Sequence, residues 1–299
     1  MTSFNNALDI ARQLEQKARD RGASEPQSST AAKQGVPRVA PSQIPLWPSN
    51  VRGMPNSLAR SALFNVNRAA APREFYTKDR EIVSVDGTSI TLKGEELRQD
   101  DADVFLEILH LARDTQLSER VEFTGYALLK LLGWDTSSKG YTRLVTTLER
   151  LQGSTVTVSF EGKKKGFRGQ LIRKFLWKDG AETETTGNTR WTAYIEPEIA
   201  RLFSQDDYTR LSREQRLRLR SELSKWLHSF YHTHAVPYAV SVRYIHQQCG
   251  SQAKMLSHFR VTLKRSLEEL KKVGFLLEWR IDDTDKVHVT RSGNRQIAA

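Results

Sequence analysis

Apolar positions along this chain recur at two periods, and the places where the period changes mark its elements. From Thr124 the run TGYALLKLLGW keeps helical spacing and ends at Trp134. A turn, DTSS, starts at Asp135, and helical spacing resumes from about Lys139 to Gln152. In this second helix Tyr141, Leu144, Val145, Leu148 and Leu151 form one apolar stripe. The period then falls to two. STVTVSF from Ser154, the polar turn EGKKKGFRG and the segment QLIRKFLWK ending at Lys178 read as a β-hairpin. Two helices joined by a turn and followed by a cationic hairpin are the pattern of a winged helix.

The elements around this stretch complete the unit. A helix from about Asp101 to Arg113 aligns Val104, Phe105, Ile108, Leu109 and Ala112, and Val121-Glu122-Phe123 makes a short strand after it. Beyond Lys178 come a polar loop, DGAETETTGNT, the strand RWTAYIE from Arg190, and a short helix from Pro197 to near Phe203. The order then repeats. SREQRLRLRSELSKWLHSFYHTHA predicts one long helix capped by Ser212, followed by a short strand around Tyr238 to Val240. SVRYIHQQCG from Ser241 is a helix stopped by Gly250, and Ser251 caps a third helix that runs to about Val273 and stops at Gly274. In it Leu256, Phe259, Leu263, Leu267 and Leu270 form the buried stripe. FLLEWRI and KVHVTR then pair around Asp282 to Asp285. The fold class is therefore α+β, with tandem winged-helix domains.

The N-terminal part is different. Phe4 to Arg21 can form one amphipathic helix through Leu8, Ala11, Leu14 and Ala18, but GASEPQSSTAAKQGVPRVAPSQ after it is rich in Ser, Ala, Pro and Gln. Such a composition buries too little apolar surface to order itself, so residues 1–45 are expected to be a disordered tail. Residues 46–98 form an arm. MPNSLARSALF from Met54 reads as a helix with Pro55 in its first turn, and EIVSVDGTSITL from Glu81 as a hairpin turning at Asp86-Gly87. The expected organisation is this arm, a first winged domain over 99–205, a second over 206–291 and a short C-terminal tail over 292–299.

Charge changes the picture from fold to partner. The chain has 299 residues and a net charge of +11. From Glu161 to Lys178 it carries seven Lys or Arg (163, 164, 165, 168, 173, 174, 178) against one acid. Such an excess favours polyanions. Three successive lysines at a turn bury nothing and suit a phosphate backbone. In the first domain Lys139, Thr142, Arg143, Thr146 and Arg150 lie off the apolar stripe, and the turn adds Lys163, Lys164, Lys165 and Arg168. In the second, Lys254, His258, Arg260, Lys264 and Arg265 remain free of the stripe. These residues are the expected contacts to duplex DNA. Each one taken alone is equally consistent with an ordinary solvated helix face.

Other chemistry is sparse. No apolar run is long enough to span a bilayer and no secretory signal opens the chain, so no membrane role and a cytoplasmic location are expected. A single cysteine, Cys249, fits a reducing compartment and has no evident catalytic partner. There is no G-x-x-x-x-G-K followed by Ser or Thr, so ATP hydrolysis on a P-loop is not expected. His228, His232 and His234 cluster, but no Cys, Asp or Glu completes a metal set, and the cluster reads better as a helix C-terminus. His232-Thr233-His234 lacks the apolar middle residue of a strand-borne nickase motif. No enzyme activity, cofactor or metal is therefore expected. Gln43-Ile44-Pro45-Leu46-Trp47 faintly resembles the pentapeptide by which bacterial replication proteins hold a sliding clamp.

A set of short segments, in order, resembles one family. LWP from Leu46, MPNSLARSALF from Met54, ELRQDD from Glu96, LGW from Leu132 and RLQ from Arg150 are followed by DYT from Asp207, Pro237-Tyr238, CGS from Cys249 and EEL from Glu268. They span about 46 to 290 and resemble the TrfA-type replication initiators of broad-host-range bacterial plasmids. The resemblance implies tandem winged helices that bind direct repeats (iterons) at a plasmid origin. It also implies opening of an AT-rich segment, recruitment of the host initiator and replicative helicase, and a monomer–dimer equilibrium with the monomer active. A plasmid-encoded repressor of the same fold is the alternative within DNA binding. A basic partner-binding or structural protein is the alternative outside it. The hairpin at Asp86-Gly87 and the helix after Gly94 are candidate dimer surfaces.

Overall fold

In a computed structural model, the structure describes residues 44–68, 70–85, 87–114, 120–160, 165–176 and 190–292. The chain is mixed α/β, and its apolar side chains collect into two cores. The first gathers residues from Ile44 to Leu211, and the second gathers residues from Leu219 to Val287. The expectation of a disordered tail concerns residues outside those described, except at its end. Ile44 is buried, so the packed chain begins before residue 46.

The first core is built on α2 (Gln99–Ala112), whose apolar face is fully enclosed. Before it come β1 (Val51–Pro55), the single-turn α1 (Asn56–Ala59) and the hairpin β2 (Phe75–Ile82)–β3 (Thr88–Glu95). The helix expected from Met54 is thus a single turn after a strand, because Val51–Pro55 is an extended run buried along its whole length, paired with a second strand later in the chain. After α2 follow β4 (Arg120–Thr124), α3 (Gly125–Leu132) and α4 (Ser138–Gly153). Thr124 caps α3 by accepting a hydrogen bond from Ala127 N at 3.0 Å. Gly133 ends it at φ +66, with Trp134 N donating to Leu129 O at 2.9 Å, the 6→1 bond of a Schellman stop. At Gly140 the first turn of α4 comes so close to the preceding turn that a Cβ would sit 1.7 Å from Asp135 O. Only glycine permits that approach.

The segment after α4 departs from the expected wing. It forms three strands: β5 (Thr155–Phe160), β6 (Lys165–Gln170) and β7 (Ile172–Leu176). β5 pairs with β3, from Thr88↔Phe160 to Lys93↔Thr155, and β6 pairs with β5, giving an antiparallel sheet ordered β2-β3-β5-β6. β7 leaves that sheet and pairs with β8 (Arg190–Ile195), which also pairs with β4. The physical reason lies at Leu171 and Ile172, two consecutive buried residues. A strand in one sheet cannot aim successive side chains at the same core, so the chain bends there and changes sheet. The hairpin that accompanies α3 and α4 is therefore β7–β8, and the strands on either side of the lysine-rich segment, β5 and β6, belong to the other sheet.

A 3-10 helix (Pro197–Asp206) leads to β9 (Tyr208–Ser212), which pairs antiparallel with β1 and buries Leu211 in the first core. The sequence pattern assigns residues 208–212 to the second domain, but they close the first. The single long helix expected next is two: α5 (Arg213–Arg218) and α6 (Glu222–His232). The break is held from outside the segment, because the Glu269 carboxylate accepts from Arg220 N at 2.5 Å and Ser221 N at 3.3 Å. β10 (Val240–Ser241), α7 (Val242–Gln248), α8 (Leu256–Lys272), β11 (Leu276–Ile281) and β12 (Lys286–Arg291) complete the second lobe, with sheet order β10-β12-β11. Ser251 does not cap α8. Its hydroxyl accepts from Ala253 N at 3.3 Å in a turn, and α8 starts only at Leu256.

The cores meet at a charged and apolar junction. Arg216 and Lys225 both pair with Asp103 of α2, at 2.6 and 2.5 Å, and Trp226 Nε1 donates to Ser61 O at 2.9 Å. Burial alone would raise the pKa of Asp103, but the two cations outweigh it and hold the carboxyl below its ordinary value. Among the described residues no helix is long and apolar enough to cross a membrane.

Candidate nucleic-acid interface

Two helices present comparable polar faces. Each is the second helix of a helix–turn–helix and is followed by a hairpin: α3, α4 and β7–β8 in one lobe, α7, α8 and β11–β12 in the other. In α4 the stripe of Leu144, Leu148 and Leu151 is buried, and Lys139, Thr142, Arg143 and Thr146 are exposed. Thr142 Oγ1 donates to Ser138 O at 2.9 Å. The Arg143 guanidinium lies 3.7 Å from the ring centroid of Trp134, with Asp100 at 3.8 Å. Stacking fixes the plane of the guanidinium while leaving its side chain about half exposed.

Two of the residues expected to touch DNA in this lobe are engaged elsewhere. Arg150 is buried, with Nε 2.7 Å from Asp101 and Nη1 3.2 Å from Glu95. It neutralises a buried carboxylate whose pKa burial pushes up and is not available to DNA. Arg168 is exposed but forks onto Asp79 at 2.9 and 3.2 Å and also reaches Thr157 at 2.9 Å. It lies on β6, away from the strand pair that flanks α4. Lys163 and Lys164 lie outside the described residues, as does the side chain of Lys165, whose backbone opens β6.

The hairpin that does flank α4 carries its own cations. An irregular register between Ile172 and Lys174 leaves Arg173 and Lys174 both exposed, each about 6 Å from the Tyr194 ring. Arg190 is 78% exposed at the start of β8. On α3, Tyr126 and Lys130 are exposed and within 5.5 Å of each other. Sequence spacing does not single these out. The available signal is the pair Leu171-Ile172, which places the next residues on a new sheet.

In the second lobe α8 buries Phe259, Leu263, Ser266, Leu267 and Leu270. His258, Lys264 and Arg265 are exposed on the helix, and Lys254 is exposed in the turn before it. At helical spacing His258, Val261, Thr262 and Arg265 share the face opposite the core, and Lys264 flanks it. Arg260 is engaged rather than free. Its Nε and Nη2 both lie 2.9 Å from the Asp285 carboxylate, at the tip of β11–β12, and pin that hairpin to the helix.

The remaining chemical candidates are packed. His228 is buried and His232 half-buried, with rings 4.5 Å apart, and desolvation drives the pKa of His228 well down and that of His232 to about 3. Among the described residues no group of three or more His, Cys, Asp or Glu is placed to hold a metal. The Cys249 thiol is pushed up to about 12 by burial. In the stretch that resembles a clamp-binding peptide, Ile44 and Trp47 are buried, and Trp47 Nε1 donates to His110 Nδ1 at 3.0 Å. A clamp would have to unfold the first core to reach these side chains, so that reading is set aside.

The architecture places the chain in a class of two-lobed α/β proteins. It matches a crystal structure of domains 2 and 3 of RctB (selenomethionine derivative) with a TM-score of 0.54 at 13% identity, covering 80% of this chain and 98% of that one. A second RctB structure of the same two domains matches at 0.51 and 12% identity, covering 79% and 97%. The sequence goes further: residues 30–291 match the family model of the TrfA protein, and the chain belongs to that family. It is 31% identical over 248 residues to the plasmid replication initiator protein TrfA of Escherichia coli, covering 82% of this chain and 63% of that protein. The chain thus spans just under two thirds of the length of that relative.

Proposed function

We propose that this chain initiates plasmid replication by binding direct repeats at an origin through two winged-helix units. The observation that carries the reading is the duplicated exposed face, Lys139, Thr142, Arg143 and Thr146 on α4 and His258, Thr262, Lys264 and Arg265 on α8. Each helix enters the major groove of the repeat, and β7–β8 and β11–β12 lie along the phosphates. Bound DNA then opens at an AT-rich segment, where the host initiator and replicative helicase join. The chain hydrolyses nothing itself, and the monomer, in equilibrium with a dimer, is the origin-bound form. Membership of the TrfA family and similarity to a plasmid replication initiator support origin binding over simple repression.

Footprinting on DNA flanking the gene tests the proposal. The expected result is protection of evenly spaced repeats and, with the host initiator present, permanganate reactivity in an adjoining AT-rich segment. If the two units together neutralise roughly six phosphates, log K falls with log salt at a slope of about −5. Equal affinity for repeat and scrambled DNA, or a slope near zero, would sink the reading. Protection without opening would assign the chain to repression.

A further inference from the structure

The second lobe carries a basic cleft that the residues expected to touch DNA explain only at Arg265. It has a volume of about 350 Å³ and is lined by Arg218 and Arg220 from the break between α5 and α6, by Arg265, Glu269 and Lys272 from α8, and by Val273. Four cations face one carboxylate there. That carboxylate is already committed, because Glu269 accepts from Arg220 N, Ser221 N and Ser224 Oγ at 2.5, 3.3 and 2.5 Å. The cations are free to act outward. Arg218, Arg220, Arg265 and Lys272 are all exposed, and Arg218 pairs with Glu214 at 3.8 Å, both side chains being exposed. Exposed pairs of this kind are worth little and exchange readily.

Position gives the cleft a meaning. Arg265 and Lys272 are seven residues apart on α8, on the same face as His258 and Thr262. A duplex lying along that face passes the cleft at the C-terminal half of the helix. The break at Leu219–Ser221 brings Arg218 and Arg220 to the same place, which a continuous helix would not do.

We infer that this cleft binds a phosphate group of the DNA backbone and anchors the duplex at the C-terminal half of α8. The inference rests on the DNA-binding reading above. It adds Arg218, Arg220 and Lys272 to the interface, and it gives the helix break a function as the holder of two of them.

The test uses the full chain with Arg218, Arg220 and Lys272 all changed to Ala, and a fluorescent duplex of scrambled sequence. Anisotropy is followed over about 50–200 mM salt, the range in which phosphate neutralisation dominates the slope. Each phosphate that the variant no longer neutralises should flatten the slope by about 0.9 and, from a common 1 M limit, weaken binding about 8-fold at 0.1 M salt. A variant with Lys at all three positions should keep most of the affinity and shows whether charge is the cause. If wild type binds the duplex and the alanine variant binds it with the same slope and affinity, the cleft does not hold DNA and the inference is overturned. If wild type binds no duplex, the DNA-binding reading fails and takes the nucleic-acid assignment with it. Calorimetry with pyrophosphate separates the remaining source. Saturable binding lost in the alanine variant, with duplex binding unmoved, reassigns the cleft to a soluble anion and overturns the backbone assignment.

Discussion

Replacing Glu222 by Gln tests the electrostatics of the junction between the two cores. Glu222 opens α6, and its Oε2 is buried with no hydrogen-bond partner. Burial pushes its pKa up from 4.5 to about 7; Lys225 opposes the rise, Asp100 and Asp103 add to it, and Arg216 opposes it. A carboxyl whose folded pKa lies above its unfolded value holds its proton more tightly in the folded chain. Its stabilising contribution is complete below about pH 4.5 and is lost as pH rises through about 7. A shift of this size corresponds to at most roughly 3 kcal/mol between those limits. Gln keeps the shape and has no proton to lose. E222Q should therefore nearly match wild type at about pH 5 and exceed it at about pH 8 by roughly 1–3 kcal/mol. Urea unfolding followed by tryptophan emission reads this, since Trp226 is buried at the same junction. A constant difference between the two proteins at every pH, or a variant weaker at pH 8, would refute the reasoning.

Further outcomes follow from the site. Arg150→Ala leaves Asp101 with Arg73 as its remaining ion pair and should cost about 3–5 kcal/mol in urea unfolding, whereas a residue that only touched DNA would leave stability unchanged. Gly140→Ala forces a Cβ into Asp135 O and should displace the start of α4, so duplex binding should fall more than far-ultraviolet ellipticity does. Arg143→Ala should cost about 1–3 kcal/mol of discrimination at one base pair, read by competition among single-substituted repeats. Arg173→Ala with Lys174→Ala should weaken all duplexes alike and flatten the salt slope by about 1–2.

Local chemistry makes much of the fold legible. The Thr124 cap, the Gly133 stop and the apolar stripe of α4 are all written within a few residues of where they act. What escapes a reading of the sequence is set at a distance. Arg150 and Thr146 look alike on a polar helix flank, yet Arg150 is consumed by Asp101 and Glu95, about fifty residues earlier. The lysine-rich hairpin has the right period for a wing, but its partner is β3, from the arm. The helix break after Arg218 depends on Glu269, which no nearby residue announces. Helices are readable because their bonds are local. Sheet membership and the engagement of each arginine are not, because their partners lie far along the chain.

The pairing of β1 with β9 also bears on how the protein is made. Val51 meets Ser212, so the first core cannot close over β1 until residue 212 has left the ribosome. At about 5–20 residues per second, the intervening chain takes on the order of 10–30 s to synthesise. Through that interval the buried faces of Val51, Met54 and Leu58 have no partner strand to cover them. The first lobe is thus completed only after synthesis has entered the second, although most of it is made far earlier. A pause in translation once Ser212 has emerged would help folding, and one before it emerges would prolong exposure to chaperones and proteases.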